Sequence, residues 1–579
     1  MPDASTTKLR GWLSYAFASE VFVIVSLTLF LPICLEQFAR DNGYFMPDRK
    51  IRCTATEQLQ NGADSDLRCV VQIAWLWIDS ASFSLYVYSI SVALQAITVI
   101  SMAGIADHPL YRKRILLFFA CLGSISATLF LVLPSSSHVW YLSALLAMCA
   151  NVGFSASTVA MNAYLPSLAS ESPEVTQVLR RLHSEGYRVN ALGLEVDGDL
   201  RDDNSDDPIA PLISQPDSEV LVSDAYTQSA GLLPSKSVAK SQYDDTLSHA
   251  TSRISSRGIA LGYGAGIILL IITLIPVNRL HGSTFSLRLA IALSGLWWMV
   301  FTIPAALWLP GRTCSSQEVP NGCDNVDGVW GDIPNGELAP SSEWNFGREV
   351  IEAWKRLGRM FRLSEIKKLR NTFIYLAAWF LLSDGFTTMT STAVLFGKTV
   401  LHMSPSSLII IGIFTPTSGI LGSLLWPSLQ NRFGWSNMRI LTTLVLLASV
   451  VPAYGCLGFI VKGTKFRFGG LTTPGEMFGL AVYFGSVYGA FQGYARASYA
   501  ELLPPGEEAR WYALFSITDK SSSFLGPLFV GLISDLTGNI RYSFFFLVLM
   551  IWAAVPILTF VNVEQGRQDA REYRKIEQS

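Results

Sequence analysis

The chain has 579 residues, of which 50% are hydrophobic and only 15% are Asp, Glu, Lys or Arg, for a formal net charge of −2. The apolar residues gather in runs of the length needed to cross a bilayer, about 20 residues each, and these runs mostly lack the polar face of a soluble helix. A soluble enzyme core and a basic nucleic-acid-binding surface are both excluded by this pattern.

Twelve spans are read in chain order, near 13–38, 80–106, 114–134, 138–161, 257–278, 286–309, 371–396, 407–428, 438–461, 474–497, 510–534 and 541–563. The first is too long for a cleavable leader and has no small-residue cleavage site followed by a soluble domain. Charged residues are read inside four runs: Glu20 in the first, Asp384 in the seventh, Arg496 near the end of the tenth, and Asp519 and Lys520 in the eleventh. Runs three, six, nine and twelve carry none over 115–133, 289–309, 440–461 and 543–563. Charge inside a bilayer is costly and normally faces a water-filled cavity or a partner. Runs one, seven and ten are spaced in multiples of three, as a transporter built from three-helix repeats could show.

An even number of spans puts both termini on one side. Roughly 30 Lys and Arg lie on the side of the termini against roughly 12 opposite, so the termini are expected in the cytoplasm. Cys53 and Cys69 share the first non-cytoplasmic loop, where an oxidising compartment would permit a disulfide, and the pairing stays open at this point. Cys314 and Cys323 fall on the cytoplasmic side and read as free thiols. The eight cysteines and six histidines show no metal-ligand spacing, so neither a metal nor a cofactor is expected.

The expected organisation is a six-helix half over 1–310, a central cytoplasmic loop over 311–370, a second six-helix half over 371–563 and a tail over 564–579. Within the first half, about 167–256 is rich in Ser and Asp and poor in aromatics, a composition that predicts disorder. In the central loop, residues 344–370 predict an amphipathic helix. Val350, Ile351, Trp354, Leu357 and Phe361 fall near one face, with Arg348, Lys355, Arg356, Arg359 and Arg362 around the rest. Such a helix lies in the headgroup plane against anionic lipid.

After span two comes Ala103-Gly-Ile-Ala-Asp-His-Pro-Leu-Tyr-Arg-Lys-Arg114. A small residue, an Asp four positions on and a basic cluster at a helix end resemble the loop signature of the major facilitator superfamily, with Ala103 in place of the first Gly and His108 in place of the first basic residue. The resemblance implies that Asp107, Arg112 and Arg114 latch the two halves in one state of a two-state cycle. The corresponding loop after span eight has Asn431 where the Asp is expected. Gly258, Gly262 and Gly266 in span five, and Gly485, Gly489 and Gly493 in span ten, recur at four-residue steps that let helix backbones approach closely.

The richest stretch, 485–538, contains Gly489-Ala-Phe-Gln-Gly-Tyr-Ala-Arg-Ala-Ser-Tyr-Ala-Glu501 and Gly531-Leu-Ile-Ser-Asp-Leu-Thr-Gly538. With Gly11-Trp-Leu-Ser-Tyr-Ala-Phe-Ala-Ser-Glu-Val-Phe22 and Ser383-Asp-Gly385, it resembles the autophagy-related protein 22 family of fungal vacuolar effluxers, a branch of the major facilitator superfamily. The likeness covers nearly all spans but neither the 167–256 insert nor the start of the central loop. It implies an all-α membrane protein of two six-helix halves in the vacuole membrane. It implies export of amino acids of the leucine, isoleucine and tyrosine class to the cytosol. It also implies that spans one, four, seven and ten line the cavity, which makes Glu20, Asn151, Asn162, Asp384, Gln492 and Arg496 candidates for substrate or proton.

Lys520 joins these candidates because a lysine inside a span needs a carboxylate. Neighbouring Asp519 is offset by about 100° on a helix, so Glu20 or Asp384 is the expected partner. Asp519 and Glu501 complete the gating candidates. Besides amino acids, protons and membrane lipids are the expected partners. Enzyme motifs fail: Gly397-Lys398-Thr399 ends like a phosphate-binding loop, but Thr392 occupies the position of its first Gly. A carrier of another small solute, such as a lysolipid or peptide, and a non-transporting sensor signalling through the insert remain as alternatives.

Overall fold

The structure is a computed structural model and describes residues 4–46, 49–53, 68–73, 75–107, 109–184, 187–190, 193–196, 222–311, 346–461, 469–504 and 508–578. The first span opens as α1 (Ala4–Val21), passes through a π-helical stretch (Phe22–Phe30) and ends as α2 (Leu31–Asp41). A short antiparallel sheet follows, built from β1 (Tyr44–Phe45), β2 (Cys69–Ile73) and β3 (Leu76–Asp79). Cys53 and Cys69 are joined as a disulfide, so the pairing left open above is made. The sheet adds a small β element to a mainly helical fold.

The first half continues with α3 (Ser80–Asp107), α4 (Pro109–Leu129), α5 (Leu142–Asn162), α6 (Leu165–Ser170), α7 (Pro173–Ser184), the hairpin β4 (Tyr187–Asn190) and β5 (Gly193–Val196), α8 (Val222–Arg279) and α9 (Thr284–Trp308). The second half comprises α10 (Phe346–Met360), α11 (Leu363–Lys368), α12 (Arg370–Thr399), α13 (Pro405–Phe433), α14 (Asn437–Val461), α15 (Pro474–Ala500), α16 (Glu508–Ser522), α17 (Leu525–Thr537), a 3-10 turn (Ile540–Tyr542), α18 (Ser543–Thr559) and α19 (Val563–Gln578).

Among the described residues, 8 helical stretches are long and apolar enough to cross a membrane. The other expected spans are helical too, as α4, α12, α15 and the broken pair α16–α17, without meeting that measure. Thr473 and Glu476 form a reciprocal capping box that starts α15, satisfying N–H groups that the first helical turn leaves without partners. Gly434 and Gly538 end α13 and α17 in the left-handed conformation, at φ 62° and 71°, which costs glycine least.

In the first half α1 packs on α8 and α9, α4 on α5 and α9, and α3 on α5. In the second, α13 packs on α15, α12 on α16 and α18, and α14 on α15 and α18. The halves meet where α3 touches α16 and α17, α8 touches α13, and α2 touches α12. Helices α4, α9, α14 and α18, whose apolar runs carry no internal charge, present exposed side chains such as Phe118, Ile303, Ile460 and Leu549 on the outside of the bundle.

Three features depart from the sequence reading. Part of the stretch expected to be disordered is helical: α6, α7 and the first part of α8 lie inside it, and Leu182 packs with Val178 and Tyr243. A few apolar side chains in a polar segment thus find one another across the α7–α8 contact, whereas 197–221 lies outside the described residues. The amphipathic helix ends at Met360 and restarts as α11 after Phe361 and Arg362. The tail is a helix docked on the second half: Tyr573 donates to Glu365 at 2.7 Å, and Asn371 donates to Asp569 at 3.2 Å. Cys314 and Cys323, like His108, lie outside the described residues.

Candidate functional site

The glycine stripe of α8 sets the position of Glu20. A Cβ at Gly262 would stand 2.4 Å from the Glu20 Cβ, one at Gly258 would stand 2.6 Å from the Trp12 ring, and one at Gly266 would stand 2.6 Å from Ile24. Helix α1 therefore lies directly on α8, and the stem of Glu20 is pressed onto bare backbone. The π-helical stretch begins two residues later, a distortion often found at functional sites. On α15, Gly485 and Gly489 take the backbones of Thr415 and Gly419 of α13 in the same way, whereas Gly493 faces open space.

Glu20 is half-buried and makes no hydrogen bond or ion pair among the described residues; the charges acting on it are those of Lys520 and Arg496. Both cations are exposed, although they sit on helices inside the bundle. Tyr263 of α8 lies within electrostatic reach of Glu20 and Arg496. A carboxylate from the first half thus faces two cations from the second. Gln492 donates to the Tyr488 hydroxyl at 3.1 Å, one turn from Arg496.

The pairing of Lys520 differs from the expectation. Its Nζ lies 3.3 Å from Oδ2 of Asp519, because a long lysine side chain folds back across the offset between successive helical residues. Asp519 in turn accepts from the Ser383 hydroxyl. Glu20 is a second, more distant electrostatic partner of Lys520.

Asp384 is 2% exposed, and its carboxylate is taken up within the second half. Its Oδ1 and Oδ2 accept the Gly526 N–H at 3.0 and 2.8 Å, and Thr388 donates to Oδ1 at 3.3 Å. Gly526 lies in the first turn of α17, where N–H groups lack intrahelical partners and the helix dipole favours an anion. A Cβ at Gly526 would stand 1.9 Å from Thr388 Oγ1. Span eleven is therefore broken after Ser522, and Asp384 anchors its second piece.

The remaining candidates are dispersed. Asn151 is buried at 1% exposure, and its Nδ2 has no partner among the described residues, whereas Asn162 is exposed at the end of α5. Glu501 accepts from Asn437 at 2.6 Å and from Arg567 at 2.7 Å, all within the second half. Arg112 lies over the Tyr164 ring at 4.9 Å, and Arg114 is exposed. Asp107 closes α3, but its side chain lies outside the described residues. Buried charge is also not limited to the residues singled out by sequence: Glu36 at 0% exposure pairs with Arg40 at 2.9 Å, and Arg541 at 2% donates to the carbonyls of Gly470 and Leu471.

An aromatic wall next to the charges was not read from the sequence. Phe386 stacks on Phe491 at 4.0 Å and on Tyr488 at 5.6 Å, and Trp379 stacks on Phe515 at 4.5 Å and on Phe491 at 5.7 Å. Its signal was present in the spacing of Phe484, Tyr488 and Phe491, which share one face of α15.

Two apolar helical halves with a carboxylate of one opposed to cations of the other are the arrangement of a membrane carrier of the major facilitator type. The fold is that of a solved D-xylose–proton symporter (TM-score 0.52, 10% identity, covering 97% of this chain and 98% of the other) and of a bacterial homologue of the iron transporter ferroportin in an inward-facing state (TM-score 0.50, 11% identity, 96% and 98%). The family profile described as vacuole effluxer Atg22-like matches residues 4–571. The chain is 41% identical over 588 residues to autophagy-related protein 22 of Cryptococcus neoformans, covering 98% of this chain and 96% of the relative. It is 37% identical to autophagy-related protein 22-2 of Sclerotinia sclerotiorum, covering 99% and 82%. The chain belongs to the Atg22-like family of vacuole effluxers, and its family and fold are those of a multi-pass transporter of the vacuole membrane rather than an enzyme.

Proposed function

We propose that the chain exports amino acids of the leucine, isoleucine and tyrosine class from the vacuole lumen to the cytosol by alternating access. The observation that carries this reading is Glu20, without a direct partner among the described residues, facing Arg496 and Lys520 across the two halves. An amino acid brings an ammonium and a carboxylate, and charge-assisted hydrogen bonds to Glu20 on one side and to a cation on the other would hold both. Tyr488, the half-buried member of the aromatic wall, lies beside Gln492 and would offer the side chain an apolar ring face. Twelve spans in two six-helix halves, with both termini cytoplasmic, complete the proposal. The disulfide then faces the lumen, in keeping with an oxidising compartment.

Proton coupling is proposed through Glu20, the carboxylate without a direct partner among the described residues, rather than through Asp384, whose two oxygens already accept from Gly526. Purified protein in liposomes with an imposed pH gradient tests both parts. Saturable leucine flux that falls when the gradient is collapsed supports them. Flux of a lysolipid or peptide that amino acids do not compete with would replace the substrate assignment.

A further inference from the structure

At the disulfide end of the bundle the two halves are tied together through one residue of α17. Asp535 accepts the Asp79 N–H at 2.7 Å on Oδ1 and the Tyr86 hydroxyl at 2.8 Å on Oδ2. Arg68 donates to the Asp535 carbonyl at 2.6 Å, lies 3.4 Å from its Oδ1, and holds Asp79 at 3.0 Å. Asp79 immediately precedes α3, so its N–H belongs to the positive end of that helix. Asp535 lies in the last turn of α17, whose carbonyls form a negative end. An anion therefore meets the start of α3 while a cation meets the end of α17.

Below this cluster a hydroxyl stripe of α3 continues the contact. Ser82 donates to the Gly531 carbonyl at 2.9 Å and Ser89 to the Phe524 carbonyl at 2.7 Å. Gly531 makes room for the Tyr86 ring, which an added Cβ would approach to 2.8 Å. Arg68 immediately precedes β2 of the short sheet, and its neighbour Cys69 is linked to Cys53. The Cys69 sulfur packs on Gly43, where an added Cβ would stand 2.8 Å from it. The disulfide thus fixes the root of Arg68 to the end of span one.

We infer that Asp535 is the positioning residue that closes the disulfide-side gate between the halves, and that the Cys53–Cys69 bond sets Arg68 as its clasp. The inference rests on the alternating-access reading but not on which solute is carried. Opening this side requires α17 to leave α3, which breaks the three side-chain links to Asp535 together. The anchor of Asp384 on Gly526 keeps the other end of α17 with its own half during that movement.

The test reads a distance across the gate in the full-length protein in nanodiscs without substrate. Spin labels are attached at positions 75 and 536 through a ketone-bearing residue, which leaves the native cysteines intact, and are measured by double electron–electron resonance. The expected result is a dominant short distance in the parent. Arg68→Ala should raise the ratio of long to short distance by about tenfold, the factor that corresponds to losing one charge-assisted link, and Asp535→Ala, which removes the acceptor of all three side-chain links, should raise it further. Reducing the disulfide should raise the ratio in the parent and leave Arg68→Ala unchanged. An unaltered distribution in Asp535→Ala, in protein that stays monodisperse and keeps its melting temperature, overturns the gate. An equal response of the parent and Arg68→Ala to reduction overturns the role of the disulfide. Absence of amino-acid flux in the parent protein, with these shifts intact, would sink the substrate assignment alone.

Discussion

Asp384 and Gly526, 142 residues apart, are joined by one backbone N–H shared between two carboxylate oxygens at 3.0 and 2.8 Å. This contact turns an intramembrane carboxylate into the anchor of a half-helix, because the positive end of a discontinuous span favours an anion. Asp384→Ala leaves that N–H and Thr388 without their acceptor. It should lower stability by about 2 kcal/mol, the cost of an unsatisfied buried donor. Asp384→Asn, which keeps one acceptor oxygen, should lose less. Thermal unfolding in detergent checks the order, and equal melting temperatures for both variants would refute it.

Glu20 faces cations without touching them, so its removal should affect transport more than folding. Hydrogen bonds to charged groups contribute about 1.5–3 kcal/mol, or roughly 10- to 150-fold. Glu20→Gln should reduce leucine flux in proteoliposomes within that range while leaving the melting temperature within a few degrees of the parent. Normal flux in this variant would remove Glu20 from the site.

Gly262 lies where α8 touches the stem of Glu20. Gly262→Leu should push α1 and α8 apart, at an overpacking cost of about 1–3 kcal/mol, and should abolish flux. Gly264→Leu, at a position with nothing within 4 Å, should retain it. Similar losses in both variants would show that helix composition, not the α1–α8 contact, is responsible.

Burial raises the Asp79 carboxyl above the usual aspartate range, against the opposing effects of the Ala81 N–H and Arg68. A carboxyl raised in the folded state contributes stability that is fully present below its unfolded value and is lost as pH rises through the folded value. The groups facing it are Arg68 and Asp535, with Tyr86 on the same carboxylate of Asp535. The melting temperature of the parent relative to Asp79→Asn should therefore fall as pH rises from below the ordinary aspartate range toward neutrality. A flat difference across that window would contradict the assignment.

Helix α10 rests on α3, with Ala353 and Met360 buried and the Trp354 indole donating to Ser101 at 3.2 Å. Ile351, Trp354 and Phe361 remain exposed beside Lys355, Arg356 and Arg359. We propose that this surface lies on anionic headgroups, which attract each basic residue by about 1 kcal/mol. Replacing Lys355, Arg356 and Arg359 by Gln should remove most of the difference in flux between phosphatidylserine-containing and purely zwitterionic liposomes. An unchanged difference would place the helix off the membrane.

Patterns with a short period were legible in the sequence. Apolar runs set the helices, because a bilayer-spanning segment must satisfy its backbone internally. The four-residue glycine steps on α8 foretold a close contact, and Gly262 against Glu20 bears it out. The stretch 222–256 misled because composition averages over a segment, whereas Leu182, Val178 and Tyr243 need only a few well-placed neighbours. The aromatic wall was present as spacing but acquires meaning only when α12, α15 and α16 are brought together.

The sequence by itself determined the class of protein, its family and which helices carry charge, since these follow from local composition and from motifs within single spans. Only the tertiary structure decided what each charge does. Asp384 and Glu20 are both carboxylates inside apolar runs, yet one meets a helix end and is consumed by it, while the other meets bare glycine backbone and stays open toward Arg496 and Lys520. The partners that separate these two fates lie more than a hundred residues away along the chain, and the free energy of a buried charge depends on what surrounds it in space.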